Sequence, residues 1–201
     1  MKTSFITIER EYGSGGTRIA RLLAERTGVP CYGSEILEQV SRKYKISVEK
    51  IQKYEENVTN SFLYSLFMLH RLESGSADML TEEGHIFVAE QAAIKEMAAQ
   101  GPAIFLGHCA SEALKGRAGV VKVFIRCSDP ERKRERILED YGIPEHEMEG
   151  TRKRFDKKRA NYYYANTLQK WDDLKIYDMV LDSGRLGIEG CVAALRGIMG
   201  R

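Results

Sequence analysis

The junction between the first strand and the first helix limits this chain most. Residues Ser4 to Glu9 form a short apolar run ending in charge. Gly13-Ser14-Gly15-Gly16 come next, then Ile19, Ala20, Leu22, Leu23 and Ala24 at helical spacing, and Gly28 closes the helix. A strand, a glycine-rich turn and a helix in that order can build an anion site. The helix start offers unpaired N–H groups and the positive end of a dipole, and glycines let the backbone curl around the charge. The plain alternative is a tight turn that needs glycine only for its backbone conformation. Against the phosphate-loop pattern G-x-x-x-x-G-K-[ST], residues Arg10 to Thr17 match at Gly15 and Thr17. They depart at Arg10 and Gly16, which stand where the first glycine and the lysine belong. Arg10 and Arg18 flank the turn, and either can supply the missing cation. Phosphate is therefore expected at Arg10, Gly13, Ser14, Gly15, Gly16, Thr17 and Arg18.

The rest of the chain alternates in the same way. Val29 to Tyr32, with Pro30 inside it, predicts an edge strand. The pattern is helical from Glu35 to Arg71, with breaks near Lys45 to Ser47 and Asn57 to Asn60, and Glu73 to Asp78 read as a loop. A long helix is predicted from Glu82 to Gln100, stopped by Gly101-Pro102. Buried strands follow at Ala103 to Gly107 and Val120 to Ile125. Ser128-Asp129-Pro130-Glu131 opens a helix with a capping oxygen, an early proline and an early glutamate. Asp178 to Asp182 is the last strand and Ile188 to Met199 the closing helix. This alternation implies βα units and a mainly parallel sheet with helices on both faces. The expectation is one three-layer α/β domain over residues 1–201, with a helical lobe at about 35–80 set over the strand ends.

Composition removes other classes. With 43% hydrophobic and 30% charged residues the chain is too rich in apolar side chains to stay disordered. A net charge of +2 gives no global pull toward nucleic acid, so only local clusters inform. The most apolar stretch, Ile86 to Leu106, contains Glu90, Lys95 and Glu96, which excludes a membrane span. The start lacks a signal-peptide apolar region, so a cytoplasmic location is expected. Cys31, Cys109, Cys127 and Cys191 form no CxxC pair and read as buried, reduced thiols. His70, His85 and His146 stand at no metal-ligand spacing, and no Gly-x-Ser-x-Gly elbow or HExxH helix occurs. Phe62, Leu63, Leu66, Phe67 and Leu69 form an apolar stripe, for core packing or a homodimer contact. Trp171 and Tyr177 either pack near a base or anchor a loop.

A basic segment stands out late in the chain, where Arg152, Lys153, Arg154, Lys157, Lys158 and Arg159 face a single acid, Asp156. On a helix Arg152, Asp156 and Arg159 fall at i, i+4 and i+7, on one face. Asp156 can then hold both guanidinium groups as forks for phosphate oxygens. Lys153, Lys157 and Lys158 fall elsewhere and read as solvated surface. A functionless charged face, an arginine-bearing lid and a nucleic-acid patch compete for this helix. Tyr162, Tyr163 and Tyr164 point in different directions and make no single stacking platform, which counts against nucleic acid.

These residues together resemble a known family. Ile8-Glu9-Arg10-Glu11-Tyr12-Gly13-Ser14-Gly15-Gly16, with Ile19-Ala20 and Pro30-Cys31-Tyr32, is similar to the opening of the cytidylate kinase-like proteins. Phe105-Leu106-Gly107-His108-Cys109-Ala110 resembles that group's Gly-Arg-Cys-Ala segment. Arg152 to Arg159 sits where the family has its arginine-bearing lid, at about residues 142–168, and Val180-Leu181-Asp182-Ser183-Gly184 resembles its closing strand. The resemblance implies a three-layer α/β P-loop NTPase fold with five parallel strands in the order 2-3-1-4-5. It implies ATP as phosphate donor, a nucleotide or other small phosphate acceptor near Tyr32, Glu35 and His108, and Mg2+ at the Thr17 hydroxyl. Arg152, Asp156 and Arg159 would take the catalytic positions.

The departures from true cytidylate kinases all remove charge. Gly16 replaces the lysine, as it tends to in the cytidylate kinase-like group as well, His108 the arginine for the acceptor phosphate, Cys109 the acidic residue, and Gly33 an aspartate. One cation at a transferring phosphate is worth roughly 10³–10⁵ in rate. Two readings stay open: an ATP-dependent phosphotransferase with other arginines compensating, and a non-catalytic nucleotide- or anion-binding protein on the same scaffold.

Overall fold

A computed structural model describes residues 3–57 and 82–200. The loop at 73–78, the second half of the expected helical lobe, the apolar stripe at 62–69 and His70 lie outside the described residues. Five strands form one all-parallel sheet: β1 (Phe5–Arg10), β2 (Cys31–Tyr32), β3 (Ala103–Leu106), β4 (Val120–Arg126) and β5 (Met179–Asp182). Their spatial order is β2-β3-β1-β4-β5, as the resemblance implies. β1 is central, with Phe5 opposite both Ala103 and Val120 and Ile8 opposite both Leu106 and Val123.

Alternation along the strands divides the core in two. Ile6, Ile8, Ile104, Val123 and Ile125 face Ile19 and Leu23 of α1 (Gly16–Thr27) and Val192 and Leu195 of α8 (Ser183–Met199). Phe5, Ala103, Phe105 and Phe124 face the opposite layer. That layer contains α2 (Ser34–Tyr44), α3 (Val48–Asn57), α4 (Glu82–Ala99) and α7 (Glu145–Thr167). Burying one such aliphatic side chain contributes about 1.5–3 kcal/mol. A one-residue slip would exchange both faces of a strand, so this register is strongly held.

Local chemistry sets the element ends. Lys45 takes a left-handed φ of 59° between α2 and α3, at the break expected there. The Asp129 carboxylate accepts from the amides of Glu131 and Arg132 at 3.0 and 3.2 Å and starts α6 (Pro130–Tyr141). Gly187, at φ +69° and ψ 175°, interrupts α8, so its regular part begins at Ile188, where the sequence placed it. The basic helix α7 starts at Glu145, ahead of its basic residues, because Glu145 and Glu147 favour its N-terminal turn.

Trp171 and Tyr177 are both buried against Phe124, and the Tyr177 hydroxyl donates to the Trp171 carbonyl at 2.7 Å, so the anchoring role applies. All four cysteines are free; three are buried and Cys31 is half-buried. Burial pushes the Cys31 and Cys191 thiols up to about 11. Tyr162 and Tyr163 are core residues, which removes them as a stacking surface for nucleic acid. Among the described residues no helix is long and apolar enough to cross a membrane.

Candidate active site

Because the sheet is all-parallel, β1 and β3 end on the same edge, the edge where open α/β sheets place their ligands. Arg10 ends β1 there, and Gly107-His108-Cys109 follow β3 into the short helix α5 (Ala110–Ala113). Gly13 and Gly15 both take φ +74°, a left-handed conformation that favours glycine. A Cβ at Gly13 would lie 2.7 Å from Ile137 Cγ1, and one at Gly15 would lie 2.5 Å from Ile188 Cδ1. These contacts alone would satisfy the reading of a tight turn.

The loop's hydrogen bonds say more. Ser14 is fully buried, and its carbonyl accepts from Arg136 Nη1 at 3.0 Å and from Ser183 Oγ at 2.6 Å. In a trans peptide the N–H points opposite to the carbonyl, so the Gly15 N–H is turned away from these two residues. The curl expected over residues 13–17 is not uniformly free for an anion. The Ser14 amide donates to the Glu11 carbonyl at 3.2 Å and the Gly16 amide to Ser14 Oγ at 3.3 Å. No described residue accepts from the amides of Gly13, Gly15 or Thr17.

Three hollows meet at this edge. One of about 650 Å³ is lined by Gly15, Thr17, Arg18, Arg21, Asp140 and Tyr141, within the usual ligand-pocket range. A second, of about 230 Å³, is lined by Arg10, Thr17, Arg21, Gly33, Glu35 and His108. A third, of about 360 Å³, is lined by Glu9, Arg10, His108, Lys158 and Arg159. Thr17 borders the first two, and Arg10 and His108 border the second and third, so the hollows are strung around these residues.

The structure brings Glu35 and His108 together but not Tyr32. Strand alternation turns Cys31 toward the second hollow and Tyr32 to the other face. The Tyr32 ring packs 5.6 Å from that of Phe105 and lines a groove with Pro30, Gly101 and Pro102, at the far end of the strands. The Glu35 carboxylate accepts from the Gly33 amide at 2.8 Å and so braces the start of its own helix. His108 and Cys109 have φ values of 56° and 50°, two consecutive left-handed residues that are not glycine. Strain of this kind, about 1–3 kcal/mol per residue, concentrates at functional turns.

The arginine fork expected on α7 is looser than its helical spacing suggests. Asp156 lies 3.7 Å from Arg152 and 3.5 Å from Arg159. Its short bond, 2.7 Å, is accepted from the Tyr12 amide in the glycine loop. Arg159 Nη1 donates more closely to the Arg10 carbonyl, at 3.0 Å, than to Asp156, at 3.5 Å. Arg152 is held by Glu149 at 2.9 and 2.7 Å, and this pulls the Glu149 carboxyl down to about 2. Burial pushes Asp156 up, opposed by the Tyr12 amide and the arginines. The Tyr12 ring stacks between Tyr141 (4.6 Å) and Phe155 (4.8 Å). Helix α7 is thus seated on the glycine loop.

Three site residues escaped the sequence reading. Lys158, assigned to solvated surface, lines the third hollow. Glu9, buried beneath that hollow, accepts from Trp171 Nε1 at 3.1 Å, and burial pushes its carboxyl up. Its signal was a charge ending an apolar strand directly before a glycine turn. Arg136, which holds the Ser14 carbonyl, had no local signal. The expected Mg2+ finds no group of three His, Cys, Asp or Glu among the described residues. An ion carried on substrate phosphates needs only one or two protein oxygens and keeps its waters, and the Thr17 hydroxyl at the start of α1 fits that role.

The sheet order, the glycine turn feeding α1 and the hollows at the strand ends define a P-loop kinase fold. A solved structure from Eubacterium ventriosum superposes with a TM-score of 0.71 at 22% identity, covering 98% of both chains. Shikimate kinase from Bacteroides thetaiotaomicron gives 0.52 at 16% identity, also covering 98% of both. The chain belongs to the cytidylate kinase-like family, whose profile matches residues 5–185. It is also 25% identical over 193 residues to a cytidylate kinase of Archaeoglobus fulgidus, covering 93% of this chain and 89% of that one.

Proposed function

We propose that this chain is an ATP-dependent phosphotransferase of nucleoside-monophosphate-kinase type. The observation that carries the reading is the Ser14–Gly15 peptide. Its carbonyl is held inward by Arg136 and Ser183, and its N–H is turned away from them, beside the 650 Å³ hollow. In this reading the amides of Gly13, Gly15 and Thr17 receive the phosphates of ATP. An acceptor phosphate lies in the second hollow, beside His108 and Arg21. Arg159 and Arg152 neutralise charge as the γ-phosphoryl leaves the bridging oxygen of ADP and bonds to an acceptor oxygen, with Asp156 positioning α7. Magnesium, which the Thr17 hydroxyl would help to hold, would supply neutralisation of negative charge during the transfer.

The second reading, nucleotide or anion binding without transfer, is favoured by Gly16, His108 and Cys109 and by the grip of Asp156 on Tyr12. A panel of nucleoside monophosphates with ATP and magnesium, scored by ADP release, separates the two. Turnover with one or more acceptors is expected. ATP binding with no turnover on any acceptor leaves the second reading standing.

A further inference from the structure

Arg10 leaves the end of β1, and its stem crosses the first residue of α1. A Cβ built on Gly16 would fall 2.6 Å from Arg10 Cβ and 2.8 Å from Arg10 Cγ. Arg10 Cβ is fixed by the backbone and cannot swing aside, so position 16 cannot carry a side chain while position 10 carries this one. At its far end, Arg10 Nη1 would lie 2.6 Å from a Cβ on Gly107, where φ is +78°. The side chain is therefore led from Gly16 to Gly107. It arrives in the wall shared by the second and third hollows, beside His108 and, in the second, Thr17.

In the phosphate-loop pattern, glycine stands at the position of residue 10 and lysine at that of residue 16. Here the two positions have exchanged contents. We propose that Arg10 is the phosphate-gripping cation of this site, reaching from the end of β1 the place that a lysine reaches from the start of the helix. Gly16 and Gly107 are the two glycines that let it pass. The proposal rests on the reading that the glycine loop holds the phosphates of ATP. Arg18, the other candidate, is exposed and borders the 650 Å³ hollow alone, whereas the γ-phosphate must lie where that hollow meets the acceptor hollow, at Thr17, and Arg10 borders the acceptor hollow with Thr17. Arg10 also offers what a lysine cannot, a planar fork that bonds two phosphate oxygens at once.

The test is ATP binding by calorimetry on the full chain, with thermal melts, for wild type, Arg10→Met, Gly16→Lys and the double variant R10G/G16K. The double variant restores the full G-x-x-x-x-G-K-T pattern. Arg10→Met is expected to weaken ATP binding roughly ten- to a hundredfold, the worth of a charged hydrogen bond. Gly16→Lys alone should melt earlier and bind less well, and R10G/G16K should recover most of the lost affinity. An arginine that only props the loop would not be rescued by a lysine on a different element. The proposal is overturned if Arg10→Met binds like wild type, or if the double variant stays at the Arg10→Met level or fails to fold. A wild-type chain that does not bind ATP sinks the phosphotransferase reading itself, a separate outcome.

Discussion

Gly15→Ala puts a methyl group at the tightest point of the glycine loop, and the structure allows its cost to be divided. Holding an L-residue at the Gly15 φ of +74° costs about 1–2 kcal/mol. The new Cβ would also sit 2.5 Å from Ile188 Cδ1, the end of a half-buried side chain that can turn away, so relieving this contact costs about 1 kcal/mol, the low end for overpacking. The single variant should therefore lose about 2–3 kcal/mol. Ile188→Val removes the obstructing methyl; Ile188 is half-buried, so the change alone costs near the low end of about 0.5–1.5 kcal/mol. In the double variant only the backbone part should remain, giving a favourable coupling of about 1 kcal/mol. Urea unfolding of all four proteins with a common m-value reads this directly. Strict additivity would show that Ile188 is not the obstacle. A Gly15→Ala loss below about 1 kcal/mol would refute the left-handed turn itself.

Three further outcomes follow from neighbouring residues. Arg136→Ala frees the Ser14 carbonyl and should cost about 1.5–3 kcal/mol in urea unfolding, with weakened ATP binding, because the loop loses its charged donor. An unchanged midpoint would count against it. Glu9→Gln tests a pH dependence: the folded-state pKa of Glu9 is raised above 4.5 by burial, so the native state binds the extra proton and wild-type stability falls as pH rises from 4.5 through the raised value. The variant's stability relative to wild type should grow between pH 4 and pH 7, and a flat difference would refute the assignment. Arg159→Gln should lower kcat by roughly 10³ or more with a smaller change in KM, as loss of a charge-neutralising arginine does; an equal rise in KM alone would make it a binding residue.

How far the sequence could be read depended on whether a feature was local. Gly13 and Gly15 were legible because the left-handed turn demands their residue type, and Asp129 because a cap is completed within its own helix. The strand order came through resemblance and agrees with the sheet. Asp156 was placed on the correct face, but helical spacing shows which side chains are neighbours and not which donor wins. The winner is a backbone amide 144 residues away. Tyr32, which the resemblance set beside Glu35 and His108, lines a different hollow because even a two-residue strand turns successive side chains to opposite faces. Arg136 lies in a run of alternating charges, where nothing marks one arginine as the support of a buried carbonyl.

The ring of Tyr12, clasped between Tyr141 and Phe155, has a consequence for how the anion loop exists at all. Its shape is stored in helices far downstream. Cut out as a peptide, or grafted with α1 alone onto another scaffold, residues 10–17 would lack the mould that sets them. The loop is better regarded as the inner surface of three meeting helices than as a portable motif.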